Sequence, residues 1–374
     1  MIGVNEMLDL YKFMLNHVAV SSLESPEHAI RKDPKIITIT WFMGKRCNYD
    51  CSYCSPYYHD NYSPHISKEK AFNFIDQLEK YSITQNKNFK INITGGEPFV
   101  HPNFIELLKY IKNKKQLTQL VVVSNGSVPL KTYIESTEYI TNLTISLHLE
   151  QDDSVINNTV DKILSLNAVS GLFLNVNLMA LPGKLEKIKQ IINKFNENNI
   201  KFVLRKIDPP FENKDNFAKK GEEEKINEQE LNFISNKAKS KNKNISNLDQ
   251  RHKEYYSEQE LEFVSNFDNK KQWNNIRLYN KDEIVEVNTD EIKARNLNSW
   301  PGWQCYIGVD SFYIQHNGII FRGSCMQGGP IGKIGEKIDF PTQPIICPVV
   351  RCSCNADMVV RKVKNQTYNG LIND

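Results

Sequence analysis

Between Cys54 and Cys305 the chain has no cysteine: the eight cysteines of its 374 residues fall in two groups, 47–54 and 305–354. A secreted disulfide scaffold is short and cysteine-dense throughout, so this distribution excludes one and points to metal ligation in a reducing compartment. No apolar run reaches the roughly eighteen residues of a membrane span, and the N-terminus lacks a signal-peptide core. A cytoplasmic protein without a membrane partner is therefore expected. Nor is there an excess of one charge. The 47 Lys and Arg against 44 Asp and Glu leave +3, which predicts no basic face and no nucleic-acid partner. With 40% hydrophobic and 24% charged residues the composition is that of a soluble protein, long enough for one large core with an appendage.

What is present is concentrated at Cys47, Cys51 and Cys54, spaced C-x3-C-x2-C. A tight loop of that kind aims three thiolates at one point. A 4Fe–4S cube usually takes four thiolates, so three ligands imply a cube with one iron open to something else. A zinc site and three unrelated buried thiols are the alternatives. Zinc favours four ligands in paired knuckles, and no second knuckle lies nearby.

An apolar strand, Ile37 to Phe42, leads into this loop, and a second strand, Phe89 to Thr94, ends in Gly95-Gly96-Glu97-Pro98. Two glycines at a strand end allow close backbone approach to a ligand, and Glu97 can accept bonds from an ammonium group. With Tyr53 as the aromatic residue before the third cysteine, the combination resembles the radical S-adenosylmethionine (radical SAM) superfamily.

The pattern from 36 to 208 alternates strand and helix. Strands are predicted at Ile37–Phe42, Phe89–Thr94, Leu120–Ser124, Leu143–Leu147, Leu172–Leu178 and Lys201–Ile207. Between them run apolar stripes at helical spacing, the first capped by Ser67. Six βα repeats predict a parallel sheet with right-handed crossovers. The fold class is α/β, and the resemblance implies a partial (β/α)6 TIM-type barrel. Residues 1–35 predict a helical extension, with an apolar stripe from Met7 to Leu15. Residues 209–300 form a polar connection, with short helices at 231–238 and 261–267, a lysine-rich face at 237–243 and a strand pair between Trp273 and Val287.

Ligands of such folds gather at the carboxyl ends of strands, where Ser124, Asn125, Ser146, His148, Asn175, Asn177, Arg205 and Lys206 lie. Each is also readable as an ordinary paired polar group. The resemblance implies S-adenosylmethionine (SAM) contacts from Tyr53, Gly95, Gly96, Glu97, Pro98, Ser124, Asn125, Ser146, Asn177 and Arg205. His148, Arg205 and Cys347 are the candidates for a catalytic role.

Residues 301–374 hold Cys305, Cys325, Cys347, Cys352 and Cys354. Ser311–Gln315 and Ile319–Arg322, joined by Asn317-Gly318, predict a β-hairpin that brings Cys305 and Cys325 together at its open end. Five cysteines supply the four thiolates of a second 4Fe–4S cluster with one to spare, either Cys347 or one of Cys352 and Cys354. A four-thiolate zinc site would use the same residues. This part resembles the twitch and SPASM auxiliary-cluster domains of the superfamily, and five cysteines favour the smaller, twitch-like form.

The resemblance implies reductive cleavage of SAM to a 5′-deoxyadenosyl radical that abstracts a substrate hydrogen atom. It further implies a flavodoxin or ferredoxin as reducing partner, and oxidative C–H modification of a peptide residue or a small polar metabolite. Residues 1–35 show no winged-helix pattern for binding a peptide. Radical epimerisation with a cysteine hydrogen donor is a second reading, and a non-enzymatic iron–sulfur electron carrier a third.

Overall fold

The computed structural model describes residues 28–31, 35–56, 58–209, 252–267, 275–280, 283–294 and 296–364. The helix expected near residues 7–15 and the helical, lysine-rich stretch at 231–243 lie outside them.

Six parallel strands carry the fold: β2 (Ile36–Phe42), β3 (Asn88–Thr94), β4 (Leu117–Ser124), β5 (Asn142–Leu147), β6 (Phe173–Ala180) and β7 (Phe202–Lys206). They pair in sequential order, matching the six predicted strands. The helices between them are α1 (Lys68–Thr84), α2 (Phe104–Lys112), α3 (Leu130–Ser136), α4 (Asp153–Asn167) and α5 (Leu185–Glu197). Ser67 caps α1 as expected, its side chain accepting from the Lys70 amide. The sheet is a mixed α/β partial barrel, and its two end strands do not pair with each other.

Sequential order and right-handed crossovers together place every crossover helix on the same face of the sheet. That face is apolar: Ile37, Ile39, Trp41, Phe89, Ile91, Ile93, Leu143, Ile145 and Leu147 are all at most 1% exposed and share one core with the helices. The alternate residues face the other way and are mostly polar, with Val121 and Val123 of β4 among them. They align across the register as Thr40 with Asn92, Thr144 with Asn175, and Ser146 with Asn177. A parallel sheet covered on both faces reads as continuous apolar strands, and a filled barrel interior is Val, Ile and Leu. Here the uncovered face is a polar wall.

The C-terminal hairpin forms as expected, from β11 (Ser311–Ile314) and β12 (Ile319–Phe321), with Ile314 opposite Ile320. Its first strand pairs in parallel with β2, Ser311 against Thr38 and Ile314 against Trp41. With β13 (Pro330–Lys333) it extends the barrel sheet to nine strands among the described residues.

A second, six-stranded sheet joins distant parts of the chain. Its strands are β1 (His28–Arg31), β8 (Asn275–Asn280), β9 (Glu283–Asn288), β10 (Gln304–Cys305), β14 (Ile345–Ile346) and β15 (Lys362–Val363), in the order β14-β10-β15-β1-β8-β9. The predicted strand pair is β8–β9, with Tyr279 opposite Ile284. The predicted helix at 261–267 is α6 (Glu258–Asn266), started by a capping box from Ser257 and Glu260. Glu260 also accepts from the Gly183 amide at 2.6 Å, tying α6 to the loop after β6. The short helices α7 (Thr289–Ala294) and α8 (Asn355–Met358) follow β9 and β14.

Candidate active site

The cysteine loop is closed at its base by backbone pairing. Asp60 N donates to Lys45 O at 3.1 Å, and Cys47 N donates to Asp60 O at 2.7 Å. Its far side is held by the turn after β5: Ser52 N donates to a Glu150 carboxylate oxygen at 2.8 Å. His148 Nδ1 lies 2.6 Å from Tyr53 Oη and 3.4 Å from Cys51 Sγ, with the Tyr53 and His148 rings stacked at 5.9 Å. Burial pushes His148 down to about 4, so at neutral pH it is an uncharged partner of the loop.

The Gly-Gly pair has a definite steric reason. A Cβ on Gly96 would stand 2.3 Å from the carbonyl oxygens of Lys45 and Arg46, and one on Gly95 would stand 2.8 Å from Gly44 O. Gly96 N donates to Gly44 O and Glu97 N to Arg46 O, at 2.8 and 2.9 Å. The close approach that the glycines permit is therefore to the chain's own entry into the cysteine loop. Gly96→Ala should displace Lys45 and Arg46 and with them Cys47. A lower melting temperature and reduced iron after anaerobic reconstitution are the expected results. Gly44→Ala, with nothing within 4 Å of its added Cβ and no positive φ, is the control that keeps its iron.

Glu97, 2% exposed, welds the ends of β3 and β4. One carboxylate oxygen accepts from Ser124 Oγ at 2.9 Å and Phe99 N at 3.0 Å, the other from Asn125 N at 2.6 Å. A carboxylate has about four acceptor sites, so one direction remains open. Asn125 Nδ2 in turn donates to Asn48 Oδ1 at 2.9 Å and toward Cys47 Sγ at 3.6 Å. Glu97, Asn125 and Cys47 thus form one connected chain across three motifs far apart in sequence. Lys162 on α4, which no local motif marks, fixes the loop carrying Asn125 by donating to the carbonyls of Gly126 and, at 3.1 Å, Val128.

Burial raises the Glu97 carboxyl from 4.5 to about 7, against the lowering effect of bonds from Asn125, Phe99 and Ser124. The folded state then binds the proton more tightly than the unfolded one. The Glu97 contribution to stability is fully present below about pH 4.5 and is lost as pH rises through about 7. Urea unfolding of metal-free protein across that range should show this decline, and Glu97→Gln should flatten it.

On the polar wall, Asn177 Nδ2 donates to Ser146 Oγ at 3.4 Å and Arg205 Nε to Asn177 Oδ1 at 3.3 Å. Three of the expected residues are thereby joined across β5, β6 and β7. Thr38 Oγ1 and Asn175 Oδ1 on the same wall are buried without a protein partner.

The three thiols suit a cationic group. Cys51 is raised by its hydrogen bond with Cys54, then by burial and by the Cys54 charge. Cys47 is raised chiefly by burial, with further contributions from Glu97 and Cys54. Mutual repulsion of this kind is what a bound cation relieves, since a coordinated thiol is deprotonated outright. Among the described residues no three His, Cys, Asp or Glu side chains close on a point as a single metal ion requires.

Residues 41–219 match the family model described as the Radical SAM superfamily. This stretch is a radical SAM domain. The chain is 27% identical over 164 residues to the S-adenosylmethionine-dependent nucleotide dehydratase RSAD2 of Oncorhynchus mykiss, covering 42% of this chain and 44% of that protein. It is 28% identical over 82 residues to the GTP 3',8-cyclase of Klebsiella pneumoniae (strain 342), covering 21% and 24%. Both matches therefore span less than half of the relative's length. Streptococcus suis SuiB, solved with its precursor peptide SuiA, aligns with a TM-score of 0.41 and 13% identity, over 81% of this chain and 62% of that one. Radical SAM domains carry a 4Fe–4S cluster and SAM, and Cys47, Cys51 and Cys54 of this one stand on the loop just described.

The second cysteine group packs at the open end of β11–β12. Cys305, Cys347, Ile307 and Val360 form a small core with Cys325 against it. Burial raises Cys305, Cys325 and Cys352, the last to about 12. Asp357, 4% exposed, accepts from Ser324 N, Ser324 Oγ and Cys325 N at 3.0, 2.8 and 2.7 Å. Tyr313 of β11 is raised by burial and then by the charges of Tyr58, Cys354 and Asp357. No local sequence signal marks Tyr313, because its position depends on β11 pairing with β2.

Among the described residues no helix is long and apolar enough to cross a membrane.

Proposed function

We propose that this chain is a SAM-cleaving radical enzyme acting on a polar substrate held against the uncovered wall of its sheet. The connected chain Glu97–Asn125–Cys47 carries the reading, because it couples an ammonium-accepting carboxylate to the loop that would hold the cluster. Cys47, Cys51 and Cys54 would hold the cube, and the open acceptor direction of Glu97 would take the amino group of SAM. Ser124 and Asn125 orient that carboxylate, and Tyr53, braced by His148, walls the adenine side. The chemistry supplied there when loaded is one-electron cleavage of the SAM sulfonium, from which a hydrogen-abstracting adenosyl radical arises.

Ser146, Asn177 and Arg205, with the unpartnered Thr38 and Asn175 oxygens, support a polar substrate, since buried polar atoms ordinarily find partners. Oxidative modification of a peptide residue or small polar metabolite is the reaction class we assign. A second 4Fe–4S cluster held by four of Cys305, Cys325, Cys347, Cys352 and Cys354 would receive the electron left on the substrate. Cys325 senses the charges of Cys305 and Cys352, Cys352 that of Cys354, and Cys305 that of Cys347, and the spare is Cys347 or one of Cys352 and Cys354. A flavodoxin or ferredoxin would supply electrons to the first cluster.

The test is anaerobic reconstitution followed by measurement of 5′-deoxyadenosine with SAM and dithionite. Formation of the product supports the reading, whereas an iron-replete protein that leaves SAM intact is an electron carrier. Glu97→Gln replaces a charge-assisted bond worth about 1.5–3 kcal/mol by a neutral one. Equilibrium dialysis should therefore show SAM binding weakened about ten-fold or more.

A further inference from the structure

Cys305 on β10 and Lys362 on β15 are direct cross-strand partners, so their side chains leave the sheet on the same face. Lys362 is 1% exposed. Its Nζ donates to the carbonyls of Asp357, Met358 and Val360 at 2.8, 3.1 and 2.9 Å and lies 4.6 Å from the centre of the Trp300 ring. Three carbonyls satisfy the three donors of an ammonium, but none carries a full negative charge. Among the described residues no carboxylate makes an ion pair with Lys362, and the Asp357 carboxylate is turned to Ser324 and Cys325. A buried charge left without a counter-charge is strongly disfavoured. The thiol that leaves the sheet beside Lys362 is Cys305, and as a thiolate on a bound cluster it would supply the opposite charge.

We propose that Lys362 is the built-in counter-charge of the C-terminal thiolate site and raises the reduction potential of the cluster bound there. This rests on the second cluster put forward above. Four thiolates on a 4Fe–4S cube leave a net negative charge, and reduction adds one more. A fixed cation one strand away stabilises the reduced form more than the oxidised form, so the potential goes up.

The test uses the full chain with Cys47→Ala, Cys51→Ala and Cys54→Ala, which leaves the C-terminal site to be loaded alone. After anaerobic reconstitution with iron and sulfide, it is titrated with dithionite while the EPR signal is followed. Lys362→Gln keeps an N–H donor for the carbonyls but no charge, and is expected to lower the midpoint potential. Lys362→Arg is expected to return it to the parent value. Equal midpoints in parent and Lys362→Gln, with iron retained in both, overturn the proposal. Should Lys362→Gln lose its iron, the arginine variant decides. Iron kept there supports a need for charge, whereas iron lost there assigns Lys362 to packing and overturns it. A parent that binds zinc or no metal shows that the second cluster itself is wrong, and this proposal falls with it.

Discussion

Replacing Cys47, Cys51 and Cys54 together by alanine should abolish 5′-deoxyadenosine formation and leave about half the iron of the reconstituted parent, on the count of one cube per thiolate set. Iron analysis and product chromatography on the same sample check both halves. The effect on activity is expected to be total because each thiol has a separate support: Asn125 at Cys47, His148 at Cys51 and the Cys51 carbonyl at the Cys54 amide. None of these supports supplies a replacement ligand. Retention of all the iron would mean that the loop holds none of it. Loss of all the iron would leave the C-terminal thiols without a cluster.

The βα alternation was legible because each strand has a period of two and each helix a stripe at 3.6. Both signals are local, and they hold at Ile91, Ile93 and Ile145 as well as along α1 and α5. The site loop was read from its cysteine spacing together with the Gly95–Pro98 motif that follows the next strand. Gly95 and Gly96 were legible as residues of close approach, but not what they approach. The carbonyls of Lys45 and Arg46 lie some fifty residues earlier and meet them only when β2 and β3 pair.

The same holds on a larger scale at β11, whose partner β2 is about 270 residues away, and at β1, which joins β8 and β15. Hairpins announce their pairing in the turn between the strands. A parallel addition to a sheet edge has no such local sign. Because Lys362 and Tyr313 take their positions from these distant pairings, periodicity and motif spacing pass over both. His148 shows the opposite case. Its place at a strand end was visible, but its contacts with Tyr53 and the cysteine loop were not.

Among the described residues, Asp310 should be the least replaceable acid for stability. It is fully buried, bonded by Lys87 Nζ and by Arg361 through Nε at 3.1 Å and Nη2 at 3.4 Å. Lys87 comes from the turn before β3, and Arg361 precedes β15, lying 3.5 Å over the Tyr306 ring. The Asp310 carbonyl meanwhile accepts from Thr38 N on β2 at 3.0 Å. One carboxylate therefore fastens the barrel sheet to the sheet that holds Cys305. Removing one partner of a buried ionic group leaves the remaining charges uncompensated, at a cost of about 3–5 kcal/mol. Asp310→Ala should lower the unfolding free energy from urea titration by that amount, and Asp310→Asn by less, since the amide oxygen still accepts one of the donors. If the carboxylate is the fastening point between the two sheets, the alanine variant should also split a single unfolding transition into two. The half that carries Cys305 and Lys362 should melt first, and near-ultraviolet dichroism from Trp300 and Trp303 would report it separately from the barrel.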